Sequence, residues 1–527
     1  MSEFIVSRCL VTDVSNLQLI GEAALLIAVL GALSIIYHIL IIPLISPLRD
    51  LPTPAQEPLI KRLFREPNGN DFLRWIEEVP NSGLIRYFGF LNTERVLLAT
   101  TEAARTIHEG DTKIYFRPKS AKAFLCRLTG GGLFAAEGVQ HSAQRRELTA
   151  AFKYRHLKEL YPTFWEKTTE VLEALSDELG GSSKIVDVDD WAARGTLDAI
   201  GLAAFAYDFR SVADPETDLV RQYRKAFMPG NSGGRVRKLA LIIPIRVLFR
   251  LPMKWNRDAE ACIAAVRATL HRVVQKRQFE AVAGDDRHSD LLNVILRSRQ
   301  FTATDVIVSQ CMTFLAAGHE APALALGWTL FELSKNPDWQ QRLRNEIRAN
   351  VPSPAADGTI DAARIDELPL LEAVVKESLR FWAPVPRSTR VSSRATIVAG
   401  RRIPAGRLLI LSSYSMNRAT RNWGSNAGIW NPERWLGSSE ARSMGGSIDR
   451  QAFSTFSHGT CVRSCIGKQF AHSEVLVFLA GLVGRFEWTL EDVPHLAPGT
   501  VEADHDSTIV LKVVGGLKLR AKVVRGW

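Results

Sequence analysis

The chain has 527 residues, too many for one ordinary domain of about 100–200 residues, so it holds several modules or one unusually large fold. With 46% hydrophobic and 23% charged residues it is neither disordered, collagenous nor coiled-coil as a whole, and it is too polar for a polytopic transporter. Lys and Arg outnumber Asp and Glu by 66 to 56, a net charge of +10 that suits nucleic acid, an anionic membrane surface or an acidic protein partner, while six cysteines without a Cys-x-x-Cys pair make no disulfide scaffold.

Residues 23–42 carry no formal charge, and only Ser34 and His38 among them are notably polar. Twenty helical residues span a hydrocarbon core of about 30 Å. Arg8 alone is basic ahead of the stretch, whereas Arg49, Lys61, Arg62 and Arg65 follow it, which puts the following domain on the cytoplasmic side. A cleaved signal peptide would need a basic start and a shorter apolar core. The expected organisation is therefore a lumenal segment (1–22), a single transmembrane helix (23–42), a Pro-rich hinge (43–60) and one large domain (61–527). Pro43, Pro47, Pro52, Pro54 and Pro58 stiffen the hinge and keep it from being helical.

Beyond the hinge, 84–90 and 95–99 read as a hairpin. Apolar spacings of three and four predict helices over 142–152, 163–179 and 190–207. The stretch 239–251 is apolar, follows a basic run and contains Pro244; it reads either as an interfacial segment or as a core segment between helices. Strands resume near Arg390, with a turn at Ile403-Pro404-Ala405-Gly406, and 508–514 pairs with 518–524 across Gly515-Gly516. Helices outnumber strands, no Gly/Ser linker interrupts the chain, and the fold class is mainly α with small β-sheets.

Three generic signatures fail on context. Gly230-Asn231-Ser232-Gly233-Gly234 matches a nucleophile elbow but follows Pro229 instead of a strand. His319-Glu320 opens a zinc motif whose fifth position is Ala323. Gly130-Gly131-Gly132 lacks the spacing of a dinucleotide loop.

The strongest signal is Phe453-Ser-Thr-Phe456-Ser-His-Gly459-Thr-Cys461-Val-Arg463-Ser-Cys465-Ile-Gly467-Lys-Gln-Phe-Ala471. A Gly-rich loop delivers Cys465 to the start of an apolar helix, where backbone N–H groups favour a thiolate, the metal-binding form. Arg463 adds positive charge, and Phe456 helps exclude water. A buried structural cysteine is the plain alternative, and a zinc site of His458, Cys461, Cys465 and His472 is another, with no common spacing.

This loop resembles the haem-binding signature of the cytochrome P-450 family, F-x-x-G-x-R-x-C-x-G, and other stretches resemble that family across nearly the whole chain after residue 60. Glu377 and Arg380 match E-x-x-R, and Pro432-Glu433-Arg434-Trp435 is similar to P-E-R-F, whose Arg joins the same network. The resemblance implies the P-450 fold and haem b (iron protoporphyrin IX) with Cys465 as its axial thiolate. Arg463, Arg145, His141 and Arg390 would face its propionates, His141 standing where the family has Trp; Phe456, Gly459 and Gly467 complete the loop. It further implies a monooxygenase that inserts one atom of O2 into a hydrophobic small molecule, terpenoid-like if it resembles fungal microsomal members of secondary metabolism. Electrons would come from an NADPH-dependent reductase at the endoplasmic reticulum membrane, docked near Arg146, Lys153 and Lys468. Nucleic acid then drops out as a partner.

Two departures stand out. Gly459 and Arg463 are four apart where the family has two, so 460–462 bulge or the gene model retains a splice artefact. In Ala317-Gly318-His319-Glu320-Ala321-Pro322, which resembles the family's oxygen-binding A-G-x-[DE]-T-[TS], Glu320 keeps the acid but Ala321 replaces the proton-relaying Thr. Pro322 cannot donate to the Gly318 carbonyl, so the helix is expected to open there. The readings are a water or substrate hydroxyl as relay, a slow or uncoupled enzyme, or a haem-thiolate isomerase or dehydratase. A non-enzymatic zinc or membrane scaffold protein is the remote case.

Cys465→Ala is expected to abolish the thiolate-type Soret band of the reduced carbonyl complex, and Cys461→Ala to leave it in place. The reverse result would show the register across the insertion to be wrong.

Overall fold

The computed structural model describes residues 22–437, 463–490 and 510–527, apart from 111–112, 228–242, 244, 284–289, 355–359, 514 and several positions between 23 and 35. The helical spacings give helices with shifted ends: Gly138–Leu148, Tyr161–Leu179 and Val188–Phe205. The first tightens into a 3-10 turn, Thr149–Phe152. Gly180, at φ 57°, ends the second in the left-handed conformation that glycine adopts without penalty. Asp187 accepts the Asp190 N–H at 3.1 Å and caps the third.

The longest helix, Thr304–Lys335, is buried over most of its length on all sides, as expected of a helix without a polar face. It packs against Val188–Phe205, Lys254–Val282 and Lys468–Arg485, and the main hydrophobic core forms around it. Asn336 stops it, and Pro337 opens the next helix, Pro337–Asn350, where a missing N–H costs nothing. Pro322 lies inside the long helix, which continues through it to Lys335.

Ten strands make three sheets among the described residues. β1 (Leu84–Gly89) and β2 (Thr93–Leu98) form the expected hairpin. β3 (Tyr115–Phe116), β5 (Arg387–Ser392) and β8 (Leu408–Ser412) complete a sheet ordered β1-β2-β8-β5-β3, which carries a second core. β6 (Thr396–Val398) pairs with β7 (Arg401–Ile403) ahead of the turn at 405–406. The expected pairing of 508–514 with 518–524 does not form. Residues 511–513 are not strand; β10 (Lys518–Val523) instead pairs with β4 (Lys184–Asp187) and β9 (Phe486–Thr489). Gly516 serves a close approach: a Cβ there would stand 2.2 Å from the Asp187 carboxylate.

No helix among the described residues is long and apolar enough to cross a membrane, and the expected span at 23–42 falls only in part on described residues. Of 239–251, the described part holds a short helix, Ile245–Leu248, with Leu248 buried and Val247 exposed.

The helix Pro369–Phe381 places Glu377 and Arg380 on one face. Both side chains are 0% exposed and paired through two bonds, Nη2 to Oε1 at 2.7 Å and Nε to Oε2 at 2.9 Å. Arg434 Nε stands 3.5 Å from Glu377 Oε2. The Trp435 indole N–H and the Asn431 backbone N–H donate to Glu377 at 3.0 and 2.8 Å. Arg380 also donates to the carbonyls of Asn417, Ala427 (2.9 Å) and Ile429 (3.0 Å). The network therefore pins the segment 417–435 to the helix. An exposed pair of this kind is worth about 0.2–1 kcal/mol, but breaking a buried one costs about 3–5 kcal/mol. Arg380→Ala should lose stability of that order and lower the melting temperature sharply. Arg380→Lys should rescue little, because an ammonium cannot reproduce the planar fork. An unchanged melting temperature in either variant would contradict this.

Candidate functional site

Phe456 and Gly459, like His458 and Cys461, lie outside the described residues, so the site is built from Arg463 onward. The helix Lys468–Arg485 begins just after Cys465. Burial pushes the Cys465 thiol up, while the Gly467 N–H, Arg145 and Lys468 act in the opposite direction. Cys465 is exposed, and the protein around it nonetheless desolvates its thiol. Phe152 joins the loop to the long helix: its ring stands 5.5 Å from that of Phe314, and a Cβ on Gly467 would meet it at 3.7 Å.

Beside the loop lies a cluster of guanidiniums. Arg145, on Gly138–Leu148, donates to the Ser464 carbonyl at 2.6 Å and its hydroxyl at 3.2 Å, so this helix holds the residue next to the cysteine. His141, one turn earlier, is buried, and its Nδ1 has no partner among the described residues. Burial, then Arg463, Arg117, Arg145 and Arg390, push its imidazole down to about 3. The structure thus brings together all four expected propionate partners. It adds Arg117 and Glu137, which sequence reasoning missed: Glu137 bridges Arg117 (3.1 Å) and Arg463. His108 is also near, with Nε2 buried and unpartnered among the described residues, its pKa lowered to about 4 by burial and Arg390.

The acid-bearing turn shows a second opening. Along an otherwise buried helix, Ala317 is exposed and Ala316, Gly318, Glu320 and Ala321 are half-buried. Glu320 is ion-paired with Lys512, from the segment before β10. Gly318 meets the helix Val188–Phe205, where a Cβ would stand 2.8 Å from Ile200, so its lack of a side chain serves helix packing. His319 turns into the core. The Tyr223 hydroxyl is 2.7 Å from His319 Nδ1 and 3.1 Å from the Leu315 carbonyl. Nothing in the local sequence signals Lys512 or Tyr223; both arrive from distant elements.

Of the zinc alternative's four ligands, His458 and Cys461 lie outside the described residues. His472 Nε2 is 2.6 Å from Glu372 Oε2, and among the described residues no three His, Cys, Asp or Glu side chains are arranged to hold a metal ion. A thiol at a helix start, a cluster of guanidiniums, and an imidazole nitrogen without a partner among the described residues suit an iron ligand beside a dianionic group.

The Cytochrome P-450 family model matches residues 66–502. A cytochrome P-450 monooxygenase of Gibberella zeae, FSL4, is 34% identical, covering 92% of this chain and 90% of its own length. Another from Aspergillus fumigatus, sphH, is 34% identical over 96% of this chain and 94% of its own. The crystal structure of a cytochrome P-450 haem domain superposes with a TM-score of 0.72 at 22% identity, covering 90% of this chain and 97% of that one.

The buried imidazoles set an acid limit on stability. His319 is held down to about 3, by burial first and then Lys512, against its bond to the Leu315 carbonyl; His108 and His141 are lowered likewise. Each stays neutral in the fold and takes up a proton on unfolding once the pH drops below about 6.5. Their contribution is therefore intact above that pH and lost as pH falls toward the folded values. The melting temperature should drop between pH 6.5 and 4, and His319→Phe should flatten that slope whatever its own melting point. An equal slope in wild type and variant would refute the linkage.

Proposed function

Because the chain belongs to the cytochrome P-450 family, we propose that it inserts one oxygen atom from O2 into a hydrophobic small molecule. In this reading the substrate is a terpenoid-like secondary metabolite and the electrons come from an NADPH-dependent reductase. The family's cofactor is haem b, and bound haem supplies O2 activation when it is reduced. The observation that carries the reading is the conjunction around one loop: a cysteine just ahead of a helix start, with Arg145 bonded to the neighbouring Ser464, Arg463 held by Glu137, and the buried His141 beside them.

Cys465 would hold the haem iron through its thiolate, the form of cysteine that binds metal. Arg463, Arg117, Arg145 and Arg390 offer guanidinium forks, which stay charged and bind carboxylates bidentately. His141 is held neutral among them and so has one N–H to donate. Ala317 and Ala321, four apart on the exposed side of the long helix, present methyl groups to an apolar substrate. Glu320 and Lys512 are the charged pair closest to that turn in the chain's own chemistry, and a proton moved there passes through one of them or through a water or substrate hydroxyl.

The absent hydroxyl at Ala321 favours one second reading, a haem-thiolate isomerase or dehydratase. Product formed without NADPH and O2 would establish it; strict dependence on both would exclude it. Untargeted metabolite profiling of a deletion strain against heterologous expression identifies the substrate.

The remaining parts of the reading concern the membrane. The uncharged stretch 23–42 anchors the protein once in the endoplasmic reticulum membrane with the catalytic domain in the cytoplasm. Its support is the lysine and arginine bias after the stretch and the exposure of Leu25, Leu26, Leu30 and Leu33. Arg146, Lys153 and Lys468 form the basic approach for an acidic reductase. Charge reversal at these three should slow the first electron transfer several-fold and reduce its salt dependence, measured by stopped-flow absorbance. Unchanged rates would remove the docking assignment.

A further inference from the structure

We infer that Glu137 is a positioning residue: it holds Arg117 and Arg463 side by side as a preformed clamp for the two haem carboxylates. The inference rests on the haem reading above.

Glu137 stands at the N-cap of Gly138–Leu148 but makes no side-chain capping bond, although capping is the ordinary work of an acidic residue there. Its carboxylate turns to the guanidiniums instead. Oε1 accepts from Arg117 Nη1 at 3.1 Å, and Oε2 accepts from Arg463 Nη2. Arg463 Nη1 also donates to the neighbouring Ala136 carbonyl at 3.1 Å. The bridge is shielded from water, with Glu137 8% and Arg463 6% exposed.

The charges explain why such a bridge is needed. Arg117 and Arg463 repel each other, and burial together with that repulsion lowers Arg117 despite Glu137. Two desolvated guanidiniums with no anion between them would splay toward solvent. A guanidinium carries five N–H donors in a rigid fork, so each can serve Glu137 along one edge and a further carboxylate along another. Arg463 is also two residues from Cys465, so fixing its side chain fixes the approach of the cysteine loop. The clamp and the thiolate are thereby set by one carboxylate.

Positioning and mere charge predict opposite results. If Glu137 were only a competing negative charge, Glu137→Gln would tighten haem by leaving the cluster more positive. Positioning predicts looser haem. The experiment is transfer of haem from the full-length ferric holoprotein to excess apomyoglobin, followed by Soret absorbance, alongside apoprotein melting. We expect E137Q to release haem about ten-fold faster, the loss of one charge-assisted bond; because breaking a buried pair also lowers stability, release is measured well below the melting temperature of the variant apoprotein. In an Arg117→Gln background the further substitution should add little, because the two act as a unit. Equal or slower release in E137Q, or full additivity with R117Q, would overturn the inference. Glu137→Asp gives an independent reading, since it keeps the charge and shortens the reach: positioning predicts faster release, charge alone predicts none. A wild-type protein without a thiolate-type Soret band would instead overturn the haem reading itself.

Discussion

A helix of 32 residues that is apolar nearly all round cannot lie on a surface, and this constraint organises the molecule. Every side of Thr304–Lys335 must be covered, so helices from both halves of the chain converge on it. Covering it on all sides yields one large helical body and pushes the sheets to its margins. That cover is withdrawn at Ala317 and its half-buried neighbours. Away from its two ends, this turn is where the helix is least covered.

Electrostatics then divides the buried charges into two kinds. Glu377 and Arg380 are completely desolvated, yet each is met by partners on several sides, so the pair is self-contained and serves only to fix the segment it binds. The cluster around His141 is the opposite: four guanidiniums act there, and the carboxylate bridging two of them is Glu137. Guanidiniums gathered in this way attract an acidic ligand. The first network fixes a segment of the fold and the second gathers positive charge beside the cysteine loop, although both are made from the same residue types.

The sequence made some of this legible and hid the rest for a definable reason. Glu377 and Arg380 could be paired from their spacing of three, and Cys465 from the loop that delivers it, since both are local patterns. Arg434, Arg145, His141 and Arg390 could be placed only through family motifs; no periodicity brings them together. Lys512, Tyr223, Arg117 and Glu137 carried no signal, because each meets its partner through tertiary packing. Gly515-Gly516 misled: a diglycine between apolar runs reads as a hairpin, but Gly516 is needed for the close approach of Asp187. β10 was right as a strand and wrong in its partner, for local patterns fix an element better than its neighbours.

The turn at Pro322 shows how such distant contacts decide a chemical question. An interior proline costs about 3 kcal/mol, and an unsupported helix would open there. Instead the Leu315 carbonyl, His319 Nδ1 and the Tyr223 hydroxyl form a triangle with sides of 3.1, 2.7 and 3.1 Å. Thr196 Oγ1 shares its proton between Ala192 O at 2.9 Å and His319 O at 3.0 Å. At about 0.5–1.5 kcal/mol for each net bond, these contacts recover much of the cost, and Ile200 closes against Gly318. The turn is therefore braced from two neighbouring helices and keeps its shape. The missing hydroxyl at Ala321 is then a chemical substitution on a rigid frame and not the trace of a collapsed one.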